Sequence, residues 1–182
     1  TDASCGLAKK IGEQGIQKFK KNKKEGLRLF IKAHDLCPGD ATLTFNLGLA
    51  YYRYGNLTEA EKCLVRVVDK DSNQGEWLNL LAWVMMENRS DRTKALAYAK
   101  KAARINPESA AFSETLIRAY RENGQFYTGV SHGPQARKKW TGDRQIAKGY
   151  DTAVDVYIAY YLKKSKDGNH QKAIAGLKKA DF

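Results

Sequence analysis

Proline is scarce in this chain, at three residues in 182, which excludes collagen-like and proline-rich linker sequences and permits long uninterrupted helices. No apolar run approaches the roughly 20 residues of a membrane-spanning helix. Cysteine is sparse as well. Cys5, Cys37 and Cys63 make an odd count without a CxxC pair, which argues against a disulfide-rich scaffold and a closed zinc site. His34 and Cys37 have ligand-like spacing, but two ligands fall short of the four that a structural zinc ion takes. No metal and no cofactor are expected. There is no glycine-rich phosphate loop, no GxSxG and no HExxH. His34, His132 and His170 fall at a helix end, in a loop and at a turn. Ser131-His132-Gly133 reads as a surface loop, because a catalytic triad also needs a group to orient its base and an oxyanion site.

What is present is a folded, basic composition. Hydrophobic residues make up 42% of the chain, and 10 Tyr, 6 Phe and 3 Trp are more aromatic content than a disordered tail carries. Lys and Arg number 32 against 20 Asp and Glu, a formal charge of +12. Residues 41–75 are neutral, and the excess gathers toward the two ends, in KFKKNKK (18–24), QARKKW (135–140) and YLKKSKDGNHQK (161–172). Such a surface attracts nucleic acid, anionic lipid or an acidic protein without selecting among them. Many runs of this kind are simply solvated helix faces and turns.

The strongest signal is an internal repeat of 33 to 35 residues. Small residues recur at Gly26, Ala60 and Ala95, and larger or small apolar ones keep step at Phe30, Leu64 and Ala99, then Ala33, Val67 and Ala102. A second register runs through Gly15, Gly48, Ala82 and Ile117, and Pro38 and Pro107 lie 69 apart, close to two units. Each unit reads as two helices. In 41–74, Leu43, Leu47, Ala50, Tyr51 and Tyr54 lie on one helical face. Gly55-Asn56 breaks that helix with residues that tolerate positive φ. Thr58, with Glu61 three residues on, is expected to cap the second helix, which carries Ala60, Leu64, Val67 and Val68. Asn56-Leu57-Thr58 and Asn88-Arg89-Ser90 match the glycosylation acceptor pattern, but both sit where a repeat turn calls for polar residues.

The segment NLGLAYYRYGNLTEAEKCL, with Leu47-Gly48, Tyr51, Gly55, Ala60 and Leu64 in step, resembles the tetratricopeptide repeat family. The flanking units agree. Ile11, Gly15, Phe19, Gly26, Phe30, Ala33 and Pro38 precede it, with one residue missing from their turn. Leu81-Ala82, Ala95, Ala102 and Pro107 follow, with one extra. A fourth first helix supplies Leu116, Tyr120, Gly124 and Phe126. The resemblance covers residues 5–126 and implies an all-α fold, an α-solenoid of antiparallel helix pairs with units near 7–40, 41–74, 75–109 and 110–126. After Phe126 the pattern departs. Residues 127–145 hold three Gly and a Pro and are expected to form an irregular loop or insertion. Periodicity returns over 146–182, read as a helical pair that is a degenerate repeat or a cap, which a solenoid end needs.

The family binds its ligands in a concave groove lined by first helices. By register this puts Phe45, Asn46, Leu49, Tyr52 and Arg53 on the groove from the second unit, and Asn79, Trp83, Met86 and Glu87 from the third. The fourth adds Glu114, Thr115, Arg118, Arg121 and Glu122. Aromatic area, amides and guanidinium groups suit a protein or peptide of acidic character. Trp83, Met86 and Tyr52 are also candidates for the core. Some family members clamp a C-terminal carboxylate with Lys, Asn and Arg. Only Asn46 matches that clamp, since Gly12 and Ile16 stand at its Lys and first Asn positions, so a chaperone-tail receptor is not predicted.

Cys5 opens the first helix and Cys37 ends its antiparallel partner, so a bridge between them is sterically reasonable. It would stabilise by about 3 kcal/mol and would imply an oxidising compartment. A start at Thr1 rather than Met is weakly in line with a removed leader. Cys63 is expected to be unpaired. The first reading is thus a non-enzymatic, extracytoplasmic or periplasmic adaptor, with the cytoplasm as the alternative compartment and self-association left open. A basic helical-repeat nucleic-acid binder is the second reading, and the repeat portion of a larger protein the third.

Overall fold

The computed structural model describes residues 2–123. Among them are seven helices and no strand: α1 (Asp2–Lys21), α2 (Lys23–Leu36), α3 (Ala41–Tyr54), α4 (Leu57–Lys70), α5 (Gly75–Asn88), α6 (Arg92–Ile105) and α7 (Ala110–Glu122). The fold is all-α, and within each unit successive helices pack as hairpins. The chain divides into two compact units, residues 1–91 and 92–182, so α5 and α6 of the expected third repeat fall in different units. The expected loop at 127–145 and the helical pair at 146–182 lie outside the described residues.

In the first unit α1 packs on α2, α3 on α4, and α3 also rests against α1 and α2. Short polar residues start the helices. The side chains of Asn22 and Asp40 accept hydrogen bonds from the backbone N–H of Glu25 and Leu43, satisfying donors that the first turn leaves open. The cap of α4 differs from the expected Thr58–Glu61 box. Asn56 is the cap, its Oδ1 accepting from the Glu59 N–H at 3.2 Å, and Thr58 already lies within the helix. The cap falls two residues earlier than expected, directly after the sharp turn at Gly55, whose φ is 98°. Arg89 ends α5 with the same left-handed turn, at φ 55°, although it is not glycine.

The repeating small residues set the helix spacing. Ala33 and Ala60 are fully buried where second helices meet first helices. A Cβ on Gly26 would lie 2.4 Å from the Phe19 Cα, so α2 crosses α1 backbone to backbone. Two apolar clusters fill the first hairpins. Ala8, Ile11, Ala33, Cys37 and Leu43 form one. Phe19, Leu27, Phe30, Leu47 and Ala50 form the other, with Phe19 and Phe30 edge to face at 6.3 Å.

The structure joins Cys5 to Cys37 in a disulfide, with Cα atoms 5.0 Å apart. It fastens the first turn of α1 to the residue that follows α2, beside the Ala8–Ile11 cluster. Cys63 is a free, half-buried thiol, and burial pushes its pKa up.

In the second unit α6 packs on α7. Ala95, Leu96, Ala99 and Ala102 are buried on α6, as are Phe112, Leu116, Ile117 and Tyr120 on α7. Lys100 lies over the Tyr120 ring at 5.3 Å, and the Asn123 amide donates to the Arg92 carbonyl at 2.8 Å.

Candidate functional site

The site is built on α1, α3 and α5, the first helices of the first unit. Positions one turn apart on α3 carry Asn46, Leu49 and Arg53, and they line a cavity of about 180 Å³ together with Ala50. From α1 come Ile16, Phe19 and Lys20, and from α2 comes Phe30. Phe19, Phe30 and Ala50 are buried and make the floor. Ile16 is 44% exposed, so its side chain is open to a ligand at the cavity edge. Arg53 and Lys20 are exposed at the rim, and among the described residues neither has an acidic partner.

Beside the cavity, α3 and α5 are tied by aromatic contacts. The rings of Phe45 and Trp77 stack at 5.7 Å with an interplanar angle of 25°. Trp83 Nε1–H donates to the Tyr52 hydroxyl at 2.9 Å. Both pairs leave their members only partly buried, so they offer a fixed aromatic surface at small further entropic cost. Asn79 lies on α5 between the two tryptophans, and its Oδ1 is buried without a hydrogen-bond partner. A buried amide oxygen without a partner has an unmet demand for a donor.

The expected groove residues are therefore placed unevenly. Asn46, Leu49 and Arg53 meet at the cavity, while Phe45, Tyr52 and Trp83 form the aromatic ties. Met86 is only 4% exposed and lies in the interior, where it presents no surface to a ligand. The reason is its helical phase, which it shares with buried Leu78 and Ala82. Glu87 is exposed. On α7 of the second unit, Glu114 is exposed, Arg118 is half-buried and Thr115 is buried, its Oγ1 donating to the Ala111 carbonyl. The Arg121 side chain lies outside what the structure describes.

Sequence reading missed Trp77, Ile16 and Lys20. Trp77 precedes the columns that the repeat pattern fixes, although its 32-residue offset from Phe45 was open to inspection. Ile16 was compared only with an absent carboxylate clamp. Its apolar side chain one turn before Phe19 and Lys20 is visible in the sequence, but nothing there marks it as lining a cavity with the next repeat.

His34 and Cys37 do not form a metal pair. The Cys37 sulfur is bonded to Cys5, and both ring nitrogens of His34 are engaged. Arginine can only donate, so the Arg66 guanidinium donates to Nε2 at 3.3 Å. Nδ1 then carries the proton and donates to Thr44 Oγ1 at 3.3 Å, and that hydroxyl donates to the Asp40 carbonyl at 2.9 Å. Burial first, then the Arg66 and Lys70 charges, hold the imidazole pKa below its ordinary 6.5, opposed by Asp35. This network joins α2 to α3 and α4, away from the cavity. Among the described residues no group of His, Cys, Asp or Glu is arranged to hold a metal ion, and no helix is long and apolar enough to cross a membrane.

The tetratricopeptide repeat family profile matches residues 21–84. No curated protein matches the chain by sequence. Among solved structures, MamA (41 to the end) from Desulfovibrio magneticus RS-1 superposes with a TM-score of 0.76 at 16% identity, covering 97% of this chain and 93% of that one. An RS-1 MamA double mutant gives 0.74 at 15% identity, with coverage of 97% and 96%. MamA of MSR-1 gives 0.69 at 20% identity, with 96% and 95%. At these identities the likeness is one of fold, and it extends along nearly the whole of each chain. The hairpins, the repeat columns and these matches together show a helical-repeat fold, an α-solenoid of antiparallel helix pairs, that carries tetratricopeptide repeat sequence over residues 21–84.

Proposed function

We propose that this chain is a non-enzymatic interaction module that holds a protein or peptide segment, acidic in character, against the first-helix face of α1, α3 and α5. One observation carries the reading. Asn79 has a buried amide oxygen with no partner, set in a wall whose aromatic residues are already held in place by the Phe45–Trp77 and Tyr52–Trp83 contacts. The Asn79 side chain as a whole is only partly buried, so turning its amide outward would give that oxygen a peptide backbone N–H as donor, and rigid half-buried aromatics are the usual anchors of protein interfaces. The charge of +12 favours an acidic partner. The Cys5–Cys37 bridge supports placement in an oxidising, extracytoplasmic compartment.

The test is affinity capture from an extract of the native organism, with the chain and its Asn79→Ala/Trp83→Ala variant as baits, washed at low and at high salt. A protein kept by the parent at high salt and lost by the variant is the expected result. Nucleic acid alone, released by salt and indifferent to the variant, would instead assign binding to the basic ends.

A further inference from the structure

The cavity between α1 and α3 has a composition that selects a ligand more narrowly than the face as a whole. Its volume of about 180 Å³ lies below the roughly 300 Å³ at which small-molecule and cofactor pockets begin, so it suits a single amino-acid side chain. The floor of Phe19, Phe30 and Ala50 and the flanking Ile16 and Leu49 ask for that side chain to be aliphatic. The polar rim is one-signed. Lys20 and Arg53 supply two cations, Asn46 supplies an amide, and no acidic residue lines the cavity.

The positive charge does not stop at the rim. Lys20 lies in the last turn of α1, and across the α1–α2 turn Lys18, Lys20, Lys21, Lys23 and Lys24 are all exposed within seven positions. The neighbouring Glu25 is already engaged by Arg28 at 3.3 Å. A single carboxylate would use Lys20 and Arg53 and leave this turn unanswered. A run of carboxylates would use both.

We infer that the α1–α3 cavity is the anchor site for an acidic linear peptide, one Leu, Ile or Met side chain entering the pocket while Asp or Glu residues on either side pair with Lys20, Arg53 and the Lys18–Lys24 turn. The inference rests on the interaction reading above and gives the partner its chemistry. Burial of the aliphatic side chain supplies salt-resistant affinity, and the flanking charges supply steering and salt-sensitive affinity.

A fluorescein-labelled peptide with one leucine between two runs of glutamate tests it by anisotropy, beside the same peptide with Ser for Leu. Saturable binding is expected, weakened about tenfold or more by the Leu→Ser change and by Ile16→Asp. Lys20→Glu/Arg53→Glu is expected to weaken binding about tenfold or more and to flatten its salt dependence. These three side chains are exposed, and circular dichroism melts check that the variants fold. Equal binding of the two peptides, indifference to Ile16→Asp, or no saturable binding at low salt would each overturn the pocket. So would competition by oligothymidylate or phosphatidylserine vesicles that is as strong on the Ile16→Asp protein as on the parent. If the peptide fails while capture from the extract still depends on Asn79 and Trp83, the pocket assignment falls alone. If capture ignores those two residues, the interaction reading falls with it.

Discussion

Gly26 and Phe19 meet where α2 crosses α1, and a Cβ on Gly26 would lie 2.4 Å from the Phe19 Cα and 2.6 Å from its backbone nitrogen. Those are main-chain atoms that no rotamer change can move. Gly26→Ala is therefore expected to destabilise by about 1–3 kcal/mol through overpacking, despite alanine's better helix propensity. Gly15, on the facing helix, makes the control. A Cβ there would sit 3.4 Å from Leu29, an ordinary contact, so Gly15→Ala is expected to be neutral or to stabilise by up to about 1 kcal/mol. Urea denaturation of the two variants separates them. Equal effects would mean that the close crossing does not set the spacing.

The disulfide makes a prediction about mass. Cys5 and Cys37 are bonded and Cys63 is free, so alkylation without reductant is expected to label one thiol in the unfolded chain, and three after reduction. Cys5→Ser/Cys37→Ser should cost about 3 kcal/mol, because the bridge restrains 32 residues of separation in the unfolded chain. Three labelled thiols before reduction would remove the argument for an oxidising compartment.

His34 gives the fold a dependence on pH. Only the neutral ring can accept from Arg66 while donating to Thr44, and its folded pKa lies below the ordinary 6.5. Between those two values the unfolded chain binds more protons than the folded one. This contribution is thus full above about pH 6.5 and is lost as the pH falls through the window below it. Asp35 is the opposing charge, and Lys70 adds to Arg66. Melting temperatures of the parent between pH 7.5 and 5 should fall more steeply than those of His34→Gln. Parallel profiles would refute the assignment.

How far the sequence could be read depended on what each feature requires locally. The repeat columns were legible because close helix crossings admit only small residues, and Gly26, Ala60 and Ala95 keep the period. Cys5 and Cys37 could be paired on paper because antiparallel hairpins bring known ends together. The α4 cap was misplaced by two residues, since Asn56 and Thr58 both carry capping chemistry and only the turn at Gly55 decides between them. The α1–α3 cavity was not legible. Ile16 and Lys20 of one repeat meet Asn46 and Arg53 of the next, and no spacing within a single repeat reports that meeting.

Arg89 offers a final check on the turns. It stands 34 residues after Gly55, in the same left-handed conformation, at φ 55° where Gly55 has 98°. Both residues close their helix by donating a backbone N–H to carbonyls of the last turn, Gly55 to Tyr51 and Tyr52, and Arg89 to Met85 and Met86. The left-handed region costs a residue with a Cβ about 1–2 kcal/mol, and glycine avoids that cost while losing some entropy on folding. Arg89→Gly is therefore expected to stabilise by about 0.5–1 kcal/mol, raising the melting temperature by a few degrees. The reverse change, Gly55→Arg, should destabilise by at least as much. A lower melting temperature for Arg89→Gly would mean that the arginine side chain contributes more to this turn than its backbone costs.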